Sequence, residues 1–244
     1  SYREYMIMYH NIHLPLVSLS DILHNSVAIC EEVNKRCRPL EHFTHYLQQG
    51  YYPFGAEGFA TYNQRVENTV ELLLNIELPQ LRKVDIGNIR KLKALLSVLA
   101  SEVPMLVDTA KLSTLLGISR NTLLAYLEYL DEAKLIKRLY SDDLSVKKMQ
   151  KPDKILMDNC NLLKVLALKE PNIGTLRETF FCNQLGYQHQ VEYSKQGDFL
   201  IDHQITFEIG GQAKEGKQVA AVENAYIVAD DIEYSCGNKL PIWL

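Results

Sequence analysis

Two carboxylates stand ten residues apart in Gly197-Asp198-Phe199-Leu200-Ile201-Asp202-His203-Gln204-Ile205-Thr206-Phe207-Glu208-Ile209-Gly210-Gly211, Asp198 opening one apparent strand and Glu208 closing another. Carboxylates at the ends of adjoining strands can hold a divalent cation beside a phosphodiester. A lysine next to them would orient the attacking water and steady the developing negative charge. Strand alternation puts Glu208 and position 210 on one face, which is where that lysine belongs. Gly210 stands there instead. The segment therefore reads as an active site, as the remains of one, or as a hairpin whose charges only meet solvent, since single carboxylates on strands are common.

Two other groups of residues imitate chemistry. Gly211 to Gln218 has glycine, four residues and then glycine-lysine, nearly a phosphate-binding loop, but Gln218 replaces the Ser or Thr whose hydroxyl ligates magnesium. Too little chain follows Gln218 for the remaining strands and acidic ligand of a nucleotide-binding fold. His42 and His45 lie three apart on an expected helix, as do His10 and His13 in a less regular stretch. Two ligands do not close a metal site, so these read as solvated histidines on a helix face.

A different kind of site is suggested by Thr109 to Ala133. A short helix over 109–116, the turn Gly117-Ile118-Ser119 and a second helix from Arg120 fit a helix-turn-helix, with Gly117 free to take a left-handed backbone and Ser119 as cap. Leu135 to Tyr140 and Lys154 to Met157 then supply two strands around a polar loop, which makes a winged helix. Base-edge contacts would come from Arg120, Asn121 and Thr122, and phosphate contacts from Lys147, Lys148 and Lys151. Lys137, Arg138, Lys147, Lys148, Lys151 and Lys154 against Asp142, Asp143 and Asp153 leave the wing at +3. Arg120 against Glu128, Asp131 and Glu132 leaves the second helix at −2. Little phosphate-neutralising charge is present, and many winged helices only dock partners.

The elements that must carry these residues follow from pattern. Leu23, Val27, Cys30 and Val33 form a helical stripe, with Ser20 or Asp21 as cap. Pro39 opens a second helix that Gly50 ends. Val66, Val70, Leu73 and Leu74 mark a third, and Ile89, Leu92, Leu95, Leu96 and Leu99 a fourth. Beyond Asn159 a helix from about Gly174 to Leu185 precedes strands near 190–194, 197–202 and 204–209. A helix near 214–222 and the strand Ala225–Ala229 come next. The 244 residues, 47% hydrophobic with net charge −4, are ordinary for a soluble globular chain and show no basic excess. Five cysteines without a CxxC pair point to a reducing compartment rather than to disulfides or zinc. With no signal peptide and no apolar run of membrane-spanning length, a cytoplasmic location without membrane attachment is expected. Both ends read as cuts through structured sequence, so a longer parent is expected.

In this order the pieces resemble the C-terminal region of bacterial and archaeal AAA-type ATPases, which end in a winged helix and a domain of unassigned function similar to the PD-(D/E)xK nuclease fold. Ser1-Tyr2-Arg3-Glu4-Tyr5-Met6 resembles the S-F-R-E-Y-L run that follows the ATPase core. Tyr46-Leu47-Gln48-Gln49-Gly50-Tyr51-Tyr52-Pro53 resembles Y-L-x-x-G-G-Y-P, with Tyr51 replacing a glycine. Leu115 to Leu123 and Tyr126 to Leu130 resemble the winged-helix signature, and Asp153 to Asp158 resembles the K-x-Y-x-x-D strand with Leu156 in place of the aromatic.

The resemblance implies a multidomain α+β chain: a helical region over 1–102, a winged helix over 103–158 and a degenerate nuclease-like α/β domain over 159–244. It also implies that ATP and Mg²⁺ belong to an ATPase core of the same polypeptide lying before Ser1, with no cofactor in this fragment. Glu178 matches the helix carboxylate of the nuclease site, Asp198 and Glu208 its strand carboxylates, although Gln196-Gly197 lacks the usual acidic neighbour. On this reading the three acids hold Mg²⁺ or Mn²⁺ weakly without cleavage. Lys214 or Lys217 could reach back from the following helix, but nothing in the spacing favours it. The expected function is a non-catalytic module that contacts DNA or a protein partner. The alternatives are a metal-dependent DNA-processing nuclease and a winged-helix transcription regulator.

Overall fold

The computed structural model describes residues 1–82, 86–142 and 151–244, with the backbone alone described at Ile86. Ser1 and Glu4 cap helix α1 (Tyr2–His10) reciprocally, so two otherwise orphaned N–H groups are satisfied at once. Helix α2 (Leu19–Arg36) starts earlier than the sequence suggests. Its cap is Ser18, answered by Asp21 three residues on, not Ser20 or Asp21 itself. Within α2, Asn25 leaves helical geometry at φ −127° and ψ 22°. That kink rotates the apolar stripe, so Ser26, Ile29, Cys30 and Val33 are buried while Val27, expected inside, is 53% exposed.

Helix α3 (Pro39–Gln49) begins on its proline and ends at Gly50, where a Cβ would sit 2.5 to 2.8 Å from atoms of Tyr46 and Tyr5. Helix α4 (Tyr62–Leu72) widens into a π-type turn at Leu73–Glu77 and continues as α5 (Leu78–Arg82), burying Tyr62, Val66, Val70, Leu74 and Leu78. Helix α6 (Ile86–Glu102) sinks Ile89, Leu92, Leu95, Leu96 and Leu99.

The next unit is β1 (Met105–Leu106), α7 (Thr109–Leu116), α8 (Arg120–Glu132), β2 (Ile136–Leu139) and β3 (Lys154–Met157). Gly117 takes the left-handed backbone, φ 58°, and Ser119 Oγ accepts the Thr122 N–H at 3.1 Å. β3 is central, antiparallel to β1 and β2. β1 has no sequence signature because two residues carry no period.

Helices α9 (Cys160–Leu166) and α10 (Ile173–Leu185) lead into a second sheet: β4 (Val191–Tyr193), β5 (Phe199–Ile201), β6 (Ile205–Gly210), β7 (Ala225–Ala229) and β8 (Lys239–Pro241), in that spatial order. β4, β5 and β6 are antiparallel neighbours, while β7 and β8 add in parallel. The chain is thus a mixed α+β fold. The helix expected near 214–222 does not form. Gly216 adopts φ +68° in a space where a Cβ would lie 2.3 Å from Ile227 Cδ1, and the chain passes through turns closed by Val219 N–H to Gly216 O and Val222 N–H to Val219 O. No helix among the described residues is long and apolar enough to cross a membrane.

The buried apolar side chains form one connected cluster from Tyr2 to Trp243. One polar residue inside it, Asn161, is 1% exposed and uses its whole amide. Its oxygen accepts the Tyr51 N–H at 2.9 Å and the Tyr62 hydroxyl. Its nitrogen donates at 2.9 Å to Leu47 O near the end of α3, and at 3.1 Å to Tyr46 O, which also accepts the Gly50 N–H. Removing the amide leaves several buried groups unpaired at once, each costing about 1–3 kcal/mol. Asn161→Ala should therefore lose about 3 kcal/mol or more in urea unfolding, whereas Gln64→Ala on the exposed side of α4 should stay within about 0.5 kcal/mol.

Candidate functional site

Glu208 projects from β6 into the protein and is 1% exposed. Its neighbour Phe207 packs on Phe181 of α10 at 5.0 Å, and Phe199 of β5 packs on the same ring at 5.3 Å. Alternation sends Glu208 to the opposite face from α10. There Lys214 Nζ meets Glu208 Oε1 at 2.9 Å. A Cβ at position 210 would lie 2.6 to 2.8 Å from Cβ, Cγ and Cδ of Lys214. Gly210 therefore does not leave its space vacant: the aliphatic stem of a lysine from four residues later lies in it. With no helix to hold 214–222, the turn after β6 can bend back far enough to do this. Lys217 instead pairs with Glu215 at 2.7 Å on the surface.

Asp198 closes the open end of the β5–β6 ladder. Its N–H donates to Phe207 O at 2.8 Å, and its Oδ2 accepts the Ile209 N–H at 2.6 Å. Glu178, on α10, forms an ion pair with Lys154 of β3, whose ammonium also stands 4.9 Å above the Phe199 ring. Burial raises the Glu178 carboxyl above its usual range, against the pull of Lys154. Glu178 and Glu208 thus pair with different lysines, while Asp198 and Lys214 also act on the Glu178 carboxyl, the first raising it and the second lowering it. Among the described residues, these three acids do not gather their oxygens around one point. The side chains that do converge are Asp142, Glu192 and His203, a group with no sequence signature because it comes from three separate elements.

The helix-turn-helix charges are rearranged by pairing. Asp131 binds Arg138 at 3.0 Å and Glu132 binds Arg82, so the acidic end of α8 is largely neutralised. Lys154 is buried in its pair with Glu178 and cannot serve the wing as counted. Arg120 and Asn121 are exposed at the start of α8, whereas Thr122 is tied to the cap through Ser119 Oγ at 2.8 Å. Lys151 is half-buried. Near it, Asp108 caps α7, its carboxyl held below the usual range by the Lys111 N–H with a smaller pull from Lys151. Lys147 and Lys148 lie outside the described residues. The Gly211–Gln218 stretch forms no strand-to-helix phosphate loop, because turns follow it.

The histidines expected to face solvent separately join an aromatic cluster. His10 and His42 rings lie 3.9 Å apart, and the Tyr5 hydroxyl meets His45 Nδ1 at 2.7 Å and His10 Nε2 at 3.2 Å. Burial, then the neighbouring histidines, lowers the His10 pKa. Only His13 stays apart from this cluster's recorded contacts.

Comparison with known proteins places the chain in a family. Residues 40–172 match the model of a domain of unknown function (DUF8612), which is more than half of the chain. The chain belongs to this family. The match runs from α3 to the residue before α10, so Glu178, Asp198 and Glu208 lie beyond it. An uncharacterized protein of Methanocaldococcus jannaschii is 24% identical over 271 residues, covering 99% of this chain and 57% of its own length. The chain thus spans less than two thirds of that relative. No solved structure matches it.

The Glu208–Lys214 pair yields a direct test. Breaking a buried pair by removing one partner strands the other charge, although the partial exposure of Lys214 moderates the cost. Lys214→Met should destabilise the chain by about 2 kcal/mol at neutral pH, and adding Glu208→Gln should recover most of that in a double-mutant cycle. Loss that persists in the double variant would mean that Lys214 acts through its stem alone.

Proposed function

We propose that this chain is a non-catalytic interaction module, the C-terminal region of an AAA-type ATPase, with a nuclease-like α/β unit whose carboxylates serve structure. The observation that carries this reading is that each acid is already committed: Glu178 is paired with Lys154, Glu208 with Lys214, and Asp198 is bound to a backbone N–H. A two-carboxylate cation site needs its oxygens aimed at one point, and ammonium groups at that distance compete with a cation for them. The succession of α10, three antiparallel strands and a parallel fourth supports the nuclease-like assignment by topology. The remainder of the Methanocaldococcus relative leaves room for an ATPase core, where ATP and Mg²⁺ would bind. The lack of a spanning helix among the described residues and the five free cysteines favour a cytoplasmic setting.

The surface assigned to nucleic acid is the start of α8, where Arg120 and Asn121 are exposed and the acids of the helix's last turn are paired away. Few cations face outward there, so contact is with phosphates and indifferent to sequence. A protein partner on the same surface is the other form of this module. A second reading, a metal-dependent nuclease, is favoured by one observation: Lys214 stands beside Glu208 in the space over Gly210.

Incubation with single- and double-stranded DNA and RNA plus Mg²⁺ or Mn²⁺ should give no cleavage. Cleavage abolished by both Glu208→Ala and Asp198→Ala would establish the nuclease instead. In fluorescence anisotropy, duplex DNA should bind weakly, with affinity falling gently as salt rises and equally for unrelated sequences, and Arg120→Ala should weaken all of them alike. Tight binding to one sequence at physiological salt, lost in that variant, would point to a transcription regulator.

A further inference from the structure

Where the two sheets meet, three potential ligand atoms converge. Beyond β2 the chain continues alongside β4: Tyr193 N–H donates to Tyr140 O at 2.9 Å, and Ser141 forms a parallel bridge with Tyr193. This brings Asp142 against Glu192 of β4 and against His203, in the turn joining β5 to β6. One ligand atom from each lies within 4.8 Å of the others. His203 Nδ1 is 3.1 Å from Asp142 Oδ1 and 2.9 Å from Glu192 Oε2.

A ring nitrogen carries one proton at most, so Nδ1 of His203 cannot donate fully to both carboxylates that face it. Glu192 is only 7% exposed, yet its Oε2 receives no hydrogen bond, while Oε1 takes Gln190 Nε2 at 3.2 Å. Buried oxygens of native proteins are nearly always partnered, so an orphaned carboxylate oxygen 2.9 Å from an imidazole nitrogen calls for an explanation. Burial, and then Asp142, raise the Glu192 carboxyl, opposed by His203.

The hairpin turn between β5 and β6 sets the position of His203. Asp202 and His203 take φ 51° and 59° in succession, where asparagine and glycine are usual. Such conformations persist when the surroundings over-determine them. Asp202 has its reason, accepting from Gln190 N at 2.8 Å and contacting His189 Nδ1 at 2.6 Å. Among the described residues, the polar partners of the His203 side chain are Asp142 and Glu192.

A cation explains the arrangement. Metal–ligand bonds of about 2.0–2.2 Å at tetrahedral or octahedral angles place ligand atoms about 3.0–3.5 Å apart, close to the separations seen. A cation would bind the lone pair that Nδ1 holds in the Nε2–H tautomer, any proton on Nδ1 passing to solvent, and would satisfy Glu192 Oε2 and Asp142 Oδ1 together. Two carboxylates and a divalent ion sum to neutrality. One imidazole nitrogen with two carboxylates suits zinc better than magnesium or calcium, which prefer all-oxygen shells. Three protein ligands leave a position for water.

We propose that Asp142, Glu192 and His203 form a divalent-cation site that prefers Zn²⁺ to Mg²⁺ and ties the segment just after β2 to β4 and the β5–β6 turn. The site is separate from Glu178, Asp198 and Glu208 and does not depend on the interaction-module reading.

The test is calorimetric titration of chelator-treated chain with Zn²⁺ and with Mg²⁺, paired with thermal melts. One Zn²⁺ equivalent should bind and raise the melting temperature, and Mg²⁺ at equal concentration should do neither. His203→Asn and Asp142→Asn, both at half-exposed side chains, should melt like wild type without metal yet bind Zn²⁺ at least about tenfold more weakly. Glu208→Gln should bind Zn²⁺ as wild type does. No binding by wild type, binding undiminished in His203→Asn, or binding abolished by Glu208→Gln would each overturn the proposal.

Discussion

The side-chain amide of Asn161 is the constraint on which the joining of the first half of the chain to the second depends. Near the end of α3 the Leu47 carbonyl needs a donor from outside the helix, and the Tyr51 N–H after it needs an acceptor. Asn161 meets both needs from the first turn of α9. Tyr51, at the place where the resembling family has glycine, takes part: its N–H goes to Asn161, while its hydroxyl meets Tyr187 and Asn183 in and beyond α10. Asn159, two residues earlier, caps α9 and donates to the Tyr52 hydroxyl. A chain of satisfied polar groups therefore fixes how the helical half meets α9 and α10, and the apolar packing of Phe180 on Phe43 and Tyr46 fills in around it.

Charge inside the protein follows one rule, that each buried carboxylate acquires a cation or a donor from a different element. Lys154 crosses from β3 to Glu178 on α10, Lys214 folds back to Glu208, and Arg177 of α10 binds Asp230 at 3.0 Å just beyond β7. Ions in a poorly solvated interior are tolerated only in such company. These pairs join the two sheets and α10 into one body. They also consume the groups that a cation-dependent active site would need free. Glu192 departs from the rule: it is buried beside a single imidazole nitrogen that also faces Asp142.

Gly210 shows how a gap in a motif differs from a gap in a structure. A missing side chain on β6 is the condition for Lys214 to lie against the strand, and Gly216, by breaking the turn segment, gives that lysine its path. In the folded chain the space over position 210 is filled by the stem of Lys214, and its charge is spent on Glu208.

The sequence by itself determined what depends on neighbours three or four residues away. The helix boundaries at Pro39 and Gly50, the left-handed Gly117, the Ser119 cap, the buried stripe of α6 and the strand positions of β2 to β7 all follow from local rules of backbone and period. Those rules failed where a local break reset the phase, as Asn25 did for Val27, or where a glycine had to choose between helix and turn, as Gly216 did. Only the tertiary structure decided which charges meet. That Lys154 is buried with Glu178 rather than offered to a nucleic acid depends on the approach of β3 to α10. That Asp142, Glu192 and His203 converge depends on the register of Ser141 against Tyr193. Such meetings depend on how sheets are placed, and sheet placement is set by the whole core at once, not by the spacing of residues along the chain.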